Sequence, residues 1–309
     1  MLEPAWLAYT QPRQLGKAGS RPLVITSSWD TAGYLAWGPS LSTKGKTVGL
    51  NQRILRKALF FEGELNGRRT ILIDGYKFQG YWRESLEGQV GIRIFQDTCE
   101  DVAREKSFWK VKTMWGKTYF GKTLIIATGT FLGGRVEIGS EEFSGGRPGE
   151  MGSARLEKAL RVLGAEFYLT KEEAGSTIGA DGIEWGKLGT VDEALGFCWT
   201  ETRDKKRAYI EPIDRGGKEF YLRLPGGHNR KSAPLNLLPG LKKAQIVRPA
   251  YTVFYPVIGQ DQLRDTQESK FAEGLFFAGR VSGAQGYAES ALQGSRAGCG
   301  AAKKVSRET

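Results

Sequence analysis

Apolar residues recur along the chain at two different periods, and the places where the period changes predict the elements. PLVIT (Pro22–Thr26) is a β-branched run closed by the polar stretch SSWDTAG, which predicts a strand. A glycine-rich basic loop, GPSLSTKGKTVG, follows it. NQRILRKALFFEGEL has apolar spacing close to a helical period, and ILIDGYKFQGYWRESLEG reads as a second helix leading into a strand at Gly91–Gln96. SFWKVKTMWG and KTYFGKTLIIATG alternate or nearly so. Separated by a short Gly-Lys turn, they predict a meander that ends in a buried strand. ARLEKALRVLGAEF is an amphipathic helix that stops at Gly164. Residues 170–240 are turn-rich, with short strands at RAYIEPI and KEFYLRL, and read as a smaller, mostly β region. Sheet patterning returns at AQIVRPAYTVFYP, and the chain closes on GLFFAG, a turn and a last helix. The pattern predicts an α/β fold whose core is assembled from both ends of the chain, with an insertion between.

With 309 residues, one large domain carrying an insertion and two separate domains both fit. A hydrophobic content of 40% and a charged content of 26% are those of an ordinary globular chain. The longest apolar runs, such as LIIATGTFLGG, fall well short of the ~18 residues a membrane helix needs. The start, MLEPAWLAYTQPRQLGKAG, has an acid at position 3 and no apolar run ending in a small-residue cleavage site, so the expectation is a cytoplasmic protein without a membrane partner. Cys99, Cys198 and Cys299 form no C-x-x-C pair, which predicts neither a disulfide framework nor a cysteine zinc site. A single histidine, His228, removes Ser-His-Asp triads and His-rich metal centres. Chemistry must then come from a cofactor, a cysteine, or carboxylates with Lys and Arg. The formal charge of +11 fits an anionic partner such as RNA or an anionic cofactor, and equally a solvated basic surface.

The segment Gly274–Gly298, GLFFAGRVSGAQGYAESALQGSRAG, carries the clearest chemistry. A short apolar strand runs into a turn with Gly279, Gly283 and Gly286. Glycines there let backbone N–H groups come close to an anion, and the next helix adds its positive end. Ala288, Ala291, Ser295 and Gly298 then recur at helical spacing, a small-residue stripe that lets the helix lie against a sheet or a ring system. Glycine-rich strand-to-helix turns also occur in α/β proteins of many kinds. LIIATGTFLGG (Leu124–Gly134), a buried strand ending in Ala-Thr-Gly, is a second and weaker sign of the same chemistry.

In combination these stretches are specific. TGTFLGGRVEIGSEEFSGGRPGE (Thr128–Glu150), IVRPAYTVFY (Ile246–Tyr255) and the final motif resemble the GidA (MnmG) family, FAD-dependent enzymes that modify the wobble uridine of tRNA. The Gly286–Ser290 run is closer to the related folate-dependent TrmFO branch, while Ser144–Arg147 and Arg248-Pro249 favour MnmG. The resemblance continues more weakly through VITSSWDTAG, FQDTCEDV, GFCWTETRD and YIEPIDRGG, and covers most of residues 20–303. It implies a Rossmann-like FAD-binding domain from residues 1–138 and 244–309, its N-terminal βα element incomplete, with a smaller α+β domain inserted at 139–243. Gly279, Arg280, Gly283, Gly286, Tyr287 and Glu289 would lie along the cofactor phosphates and flavin, with Thr128 and Gly129 at a strand end beside it. Ser27 and Ser28 would end the strand that approaches the ribose. Cys99 falls where the family places a backbone contact to the adenine, its thiol incidental. FAD is the implied cofactor, NADH and a folate follow from the family alone, and tRNA and a second copy of the chain are the implied partners.

The chain also departs from the family pattern. No G-x-G-x-x-G precedes PLVIT, and WLAYTQPRQLGKAG reads as the remnant of the helix that would follow that turn. The family's catalytic Cys-Asn-Pro motif is matched by Trp37-Gly38-Pro39, an indole in place of a thiol, with Gly45-Lys46 retained just after it. A second family cysteine lies in a stretch missing between TETRDKK and RAYIEPI. Cys198 matches a different cysteine and is expected in a core. The Lys-Thr-Gly-Thr-Pro loop survives only as Lys171 in KEEAGST, and the helical domain used for tRNA and a partner GTPase would lie beyond Thr309. Three readings follow: an FAD-dependent tRNA modifier, a diverged non-catalytic paralogue, or a truncated fragment keeping the flavoprotein fold.

Overall fold

Two pairs of parallel strands mark the α/β part of the chain. The computed structural model describes residues 21–27, 40–42, 56–65, 68–225 and 235–307. WLAYTQPRQLGKAG, Ser28, Trp37-Gly38-Pro39, Gly45-Lys46 and His228 lie outside the described residues, as does the start of NQRILRKALFFEGEL. Strand β1 (Leu23–Thr26) runs parallel to β5 (Arg93–Gln96), with Thr26 opposite Gln96. Strand β9 (Leu124–Ile126) runs parallel to β20 (Leu275–Phe277), with Ile126 opposite Phe277. Parallel strands cannot be joined by a tight turn. The β9–β20 pair therefore brings together segments far apart in the chain.

The crossover from β1 to β5 contains an antiparallel sheet in the order β2 (Ser40–Ser42), β4 (Arg68–Ile73), β3 (Leu59–Leu65), followed by helix α1 (Gly75–Glu87). Here the structure departs from the helical reading. Residues 56–58 are helical, but LFFEGEL is a strand, because Leu59–Leu65 finds a full antiparallel ladder on RRTILI. Paired phenylalanines suit a pleated surface better than a helix. The second predicted helix begins later than its apolar pattern, at Gly75, because the Asp74 side chain accepts a hydrogen bond from the Lys77 N–H at 3.0 Å and caps it. Phe78, Trp82 and Leu86, at helical spacing, bury the inner face.

The predicted meander is present with a different membership: the buried strand expected to end it, Leu124–Ile126, leaves it to pair in parallel with β20, and Cys99–Glu105 takes a place in the sheet instead. β6 (Cys99–Glu105), β7 (Phe108–Thr113) and β8 (Thr118–Gly121) form an antiparallel sheet whose inner positions include Val102, Trp109 and Val111. Helix α2 (Ala154–Val162) packs Leu156 and Leu160 on the same core. It ends where predicted. Gly164, at φ +105°, lets the Ala165 and Gly164 N–H groups reach back to the Leu160 and Arg161 carbonyls, both at 3.0 Å.

Two larger sheets complete the molecule. One has the order β11 (Glu141–Ser144), β10 (Arg135–Ile138), β19 (Tyr251–Ile258), β12 (Phe167–Ala174), so it joins strands from both sides of residues 177–248. The other has the order β14 (Gly189–Asp192), β15 (Phe197–Glu201), β16 (Arg207–Pro212), β17 (Glu219–Arg223), β13 (Thr177–Gly179), β18 (Ile246–Arg248). It has its own core around Ile178, Ile210, Phe220 and Leu222, where Cys198 packs as expected. The last element is α3 (Tyr287–Arg307). Among the described residues no helix is long and apolar enough to cross a membrane.

Candidate functional site

Ends of parallel strands carry unsatisfied backbone groups and the loops that use them, which is why ligands of open α/β sheets collect there. At the end of β9 the chain makes a tight turn through Thr128 and Gly129, and at the end of β20 it turns through Gly279 and Arg280. Because Ile126 and Phe277 are partners, the two turns lie side by side. Thr128 is buried, and its hydroxyl has no hydrogen-bond partner among the described residues. A buried orphan hydroxyl costs about 1–3 kcal/mol, so it needs a reason to persist.

The second turn is closely tied to itself. Gly279 sits at φ +85°, ψ −150°, a conformation essentially reserved for glycine. Its N–H donates to Gln293 Oε1 at 2.9 Å. The Ser282 hydroxyl lies 2.7 Å from the same oxygen, with the Gly279 carbonyl as a second acceptor at 3.0 Å. Gln260 holds the Ser282 carbonyl from the other side. The Gly283 N–H donates to the Arg280 carbonyl at 2.9 Å, and the Gln285 N–H to the Glu289 carboxylate at 2.7 Å. Of the three glycines, Gly286 is the one whose N–H has no hydrogen bond among the described residues. It lies at φ +95° with open space where a side chain would stand. The anion-binding capacity of the turn is thus concentrated at its helix end, and Glu289 sets a negative charge beside it.

Arg280 forms an ion pair with Glu172 of β12, whose Oε1 also accepts from the Tyr255 hydroxyl at 2.9 Å. Tyr287 packs edge-on against Phe78 of α1, centroids 5.9 Å apart. Of the expected stripe, Ala291 packs inward, and α3 seats two further alanines beyond it. Ala291 meets Phe78 and Trp82, while Ala297 and Ala301 lie on Ala127, Phe276 and Ala278. Gly300 is obligatory there, since a Cβ would come within 2.9 Å of the Phe276 ring.

Ser27 ends β1, its carbonyl accepting from Gln96 Nε2 at 3.3 Å. Next to it the buried Asp97 receives the N–H groups of Thr98 (2.7 Å) and Trp115 (3.3 Å), fixing the corner that leads to Cys99. The Cys99 carbonyl accepts the Ser153 hydroxyl at 2.5 Å, and the Ser153 N–H donates to the Phe131 carbonyl at 2.9 Å. The Phe131 N–H in turn donates to the Thr128 carbonyl at 3.0 Å. One chain of hydrogen bonds therefore joins Cys99 to Thr128. Burial pushes the Cys99 thiol up to about 11 and raises that of Cys198. Neither is a nucleophile near neutral pH.

Gln293, Glu172 and Asp97, which build the site, lie inside stretches singled out in the sequence without being marked there themselves, and Ser153 lies just beyond one. Gln293 and Glu172 reach it through tertiary docking. Asp97 and Ser153 carry only the ordinary signal of turn and cap residues. Lys171 is exposed and pairs with Glu173 at 3.3 Å.

Comparisons with known proteins bear on this geometry. The family model described as glucose inhibited division protein A (GIDA) matches residues 56–196 and 218–309. The tRNA uridine 5-carboxymethylaminomethyl modification enzyme MnmG of Thermodesulfovibrio yellowstonii is 28% identical over 295 residues, covering 74% of this chain and 47% of that protein. The chain thus spans about half the length of this curated relative. Among solved structures, GidA of Aquifex aeolicus superposes with a TM-score of 0.86 at 21% identity, over 98% of this chain and 62% of that one. The GidA-related protein of Thermus thermophilus gives a TM-score of 0.58 at 18% identity, over 100% and 96% of the two chains.

Proposed function

The chain belongs to the GidA family, and from that premise we propose that it is an FAD-binding protein of the MnmG type that takes part in flavin-dependent modification of a tRNA wobble uridine. The observation that carries this reading is the buried Thr128 hydroxyl, without a hydrogen-bond partner among the described residues, beside a glycine turn in which Gly286 has open space where a side chain would stand. The residues fit the cofactor. Thr128, Gly129 and Gly286 would hold its phosphates and flavin, with Gly279 and Gly283 shaping the turn. Ser27 and the backbone at Cys99 would meet the adenosine end. Bound flavin supplies hydride transfer between a nicotinamide and a folate-borne one-carbon unit. Arg280 is paired with Glu172, which ties the turn to β12, and Glu289 fixes the start of α3. The buried thiols take no part in this scheme.

tRNA is the partner this reading requires, and a second copy of the chain is the expected assembly, readable by light scattering. The test is direct. The FAD-loaded protein is incubated with NADH, a methylene-folate and unmodified tRNA, and the wobble nucleoside is analysed by mass spectrometry. A modified uridine supports the reading, whereas FAD-loaded protein that leaves the nucleoside unchanged overturns the catalytic part of it.

A further inference from the structure

Away from the strand ends, a cleft of about 630 Å³ opens between the meander and α2. Its walls follow from periodicity. On β7, Trp109, Val111 and Thr113 turn inward, so Lys112 turns outward. On α2, Leu156 and Leu160 are buried, so Arg155, Lys158 and Val162 face the other way. Lys117, on the hairpin joining β7 to β8, completes a ring of four cations around the opening. Arg155 is partly spent on Glu100, at 2.8 Å. Lys112, Lys117 and Lys158 have no ion pair among the described residues. Asp101 also lines the cleft, so the local balance stays positive.

Apolar surface stands beside these charges. Val162 is 88% exposed at the rim, and Trp115, on the same hairpin as Lys117, is 67% exposed. Unpaired lysines around a groove with an exposed indole beside it suit a polyanion with stackable rings, since phosphates take the charges and a base takes the ring face. The chain also links the walls of the cleft to the candidate site. Glu100 and Asp101 directly follow Cys99, and Ser153, which caps α2, is the residue bonded to Cys99 and Phe131.

We propose that this cleft binds the RNA substrate, with backbone phosphates at Lys112, Lys117 and Lys158. The proposal rests on the tRNA reading above, and the experiment separates the two. Fluorescence anisotropy with labelled tRNA, at a series of KCl concentrations, compares the FAD-loaded protein with its Lys112→Glu/Lys158→Glu variant. A Lys205→Glu/Lys206→Glu variant, altered in a distant hairpin, serves as control. Losing two phosphate contacts should weaken binding at least ~10-fold and lower the slope of log K against log[salt] by about 2. Lys→Gln replacements at the same two positions should give a smaller loss in the same direction. Equal binding by the cleft variant overturns the proposal and leaves the tRNA reading standing. An equal loss in the control variant also overturns it, because the binding is then diffuse. A wild-type protein that binds FAD but no tRNA removes both.

Discussion

Gln293 is the residue whose removal says most about how the glycine turn is held. It is 6% exposed and serves as the acceptor for both the Gly279 N–H at 2.9 Å and the Ser282 hydroxyl at 2.7 Å. Gln293→Leu keeps the bulk and removes the acceptor. The Ser282 hydroxyl can rotate to the Gly279 carbonyl, already 3.0 Å away, so it retains a partner. The Gly279 N–H has no such recourse, because its φ of +85° and ψ of −150° fix the direction in which it points. One orphaned buried amide predicts a loss of about 1–3 kcal/mol. Urea unfolding followed by tryptophan fluorescence reads this as a lower midpoint with an unchanged m-value. A variant within about 0.5 kcal/mol of the parent, the range of neutral surface changes, would refute the reasoning.

Other parts of the structure give independent expectations. The bidentate Glu211–Arg223 pair, at 2.5 and 3.0 Å, buries a carboxylate that is 1% exposed. Glu211→Gln should cost about 3 kcal/mol, the low end for a broken buried pair, because Arg223 keeps a third of its side chain in water. A change in urea stability below about 1 kcal/mol would count against that pairing. Gly164→Ala forces a Cβ onto a residue at φ +105° without a steric clash, so backbone strain alone should remove about 1–2 kcal/mol, measured the same way. For Cys99, burial raises the thiol from 9.0 to about 11, so the unfolded chain gives up its proton first. The associated stability is intact below pH 9.0 and is lost as pH rises through about 11. Between those values Cys99→Ala should show a flatter decline of urea midpoint with pH than the parent, and parallel curves would contradict the burial argument.

What could be read from residues alone depended on whether the determining contacts were local. The end of α2 was legible because Gly164 makes its cap within five residues of chain. The two apolar runs that end in glycine turns were legible as strands, but the parallel β9–β20 pairing was not, since the local pattern placed Leu124–Ile126 at the end of the meander. LFFEGEL was not, since its clustered apolar residues satisfy a helical and a strand period alike, and the ladder to RRTILI decides between them. The start of α1 was misplaced for a related reason: ILI is apolar enough to extend the helix, but Asp74 caps it at Gly75. β12 pairs with β19 along its whole length across an intervening six-stranded sheet, a contact no local pattern encodes. At the candidate site the glycines announced themselves, whereas their partners did not. Gln293 is an ordinary polar residue in a small-residue helix, and Glu172 is one of several acids on a strand. Each acquires its role only when α3 and β12 dock on the turn.

Flavin binding is the property on which every functional step above depends. Dialysis of the purified protein against excess FAD, followed by gel filtration and the visible absorbance spectrum, measures it directly. The prediction is a yellow protein with one flavin per chain, and weaker retention when Gly286→Val fills the open space at the helix end of the turn and strains its backbone at φ +95°. A folded, colourless protein that elutes without flavin would contradict the assignment of the Thr128–Gly129 and Gly279–Gly286 turns as its binding site.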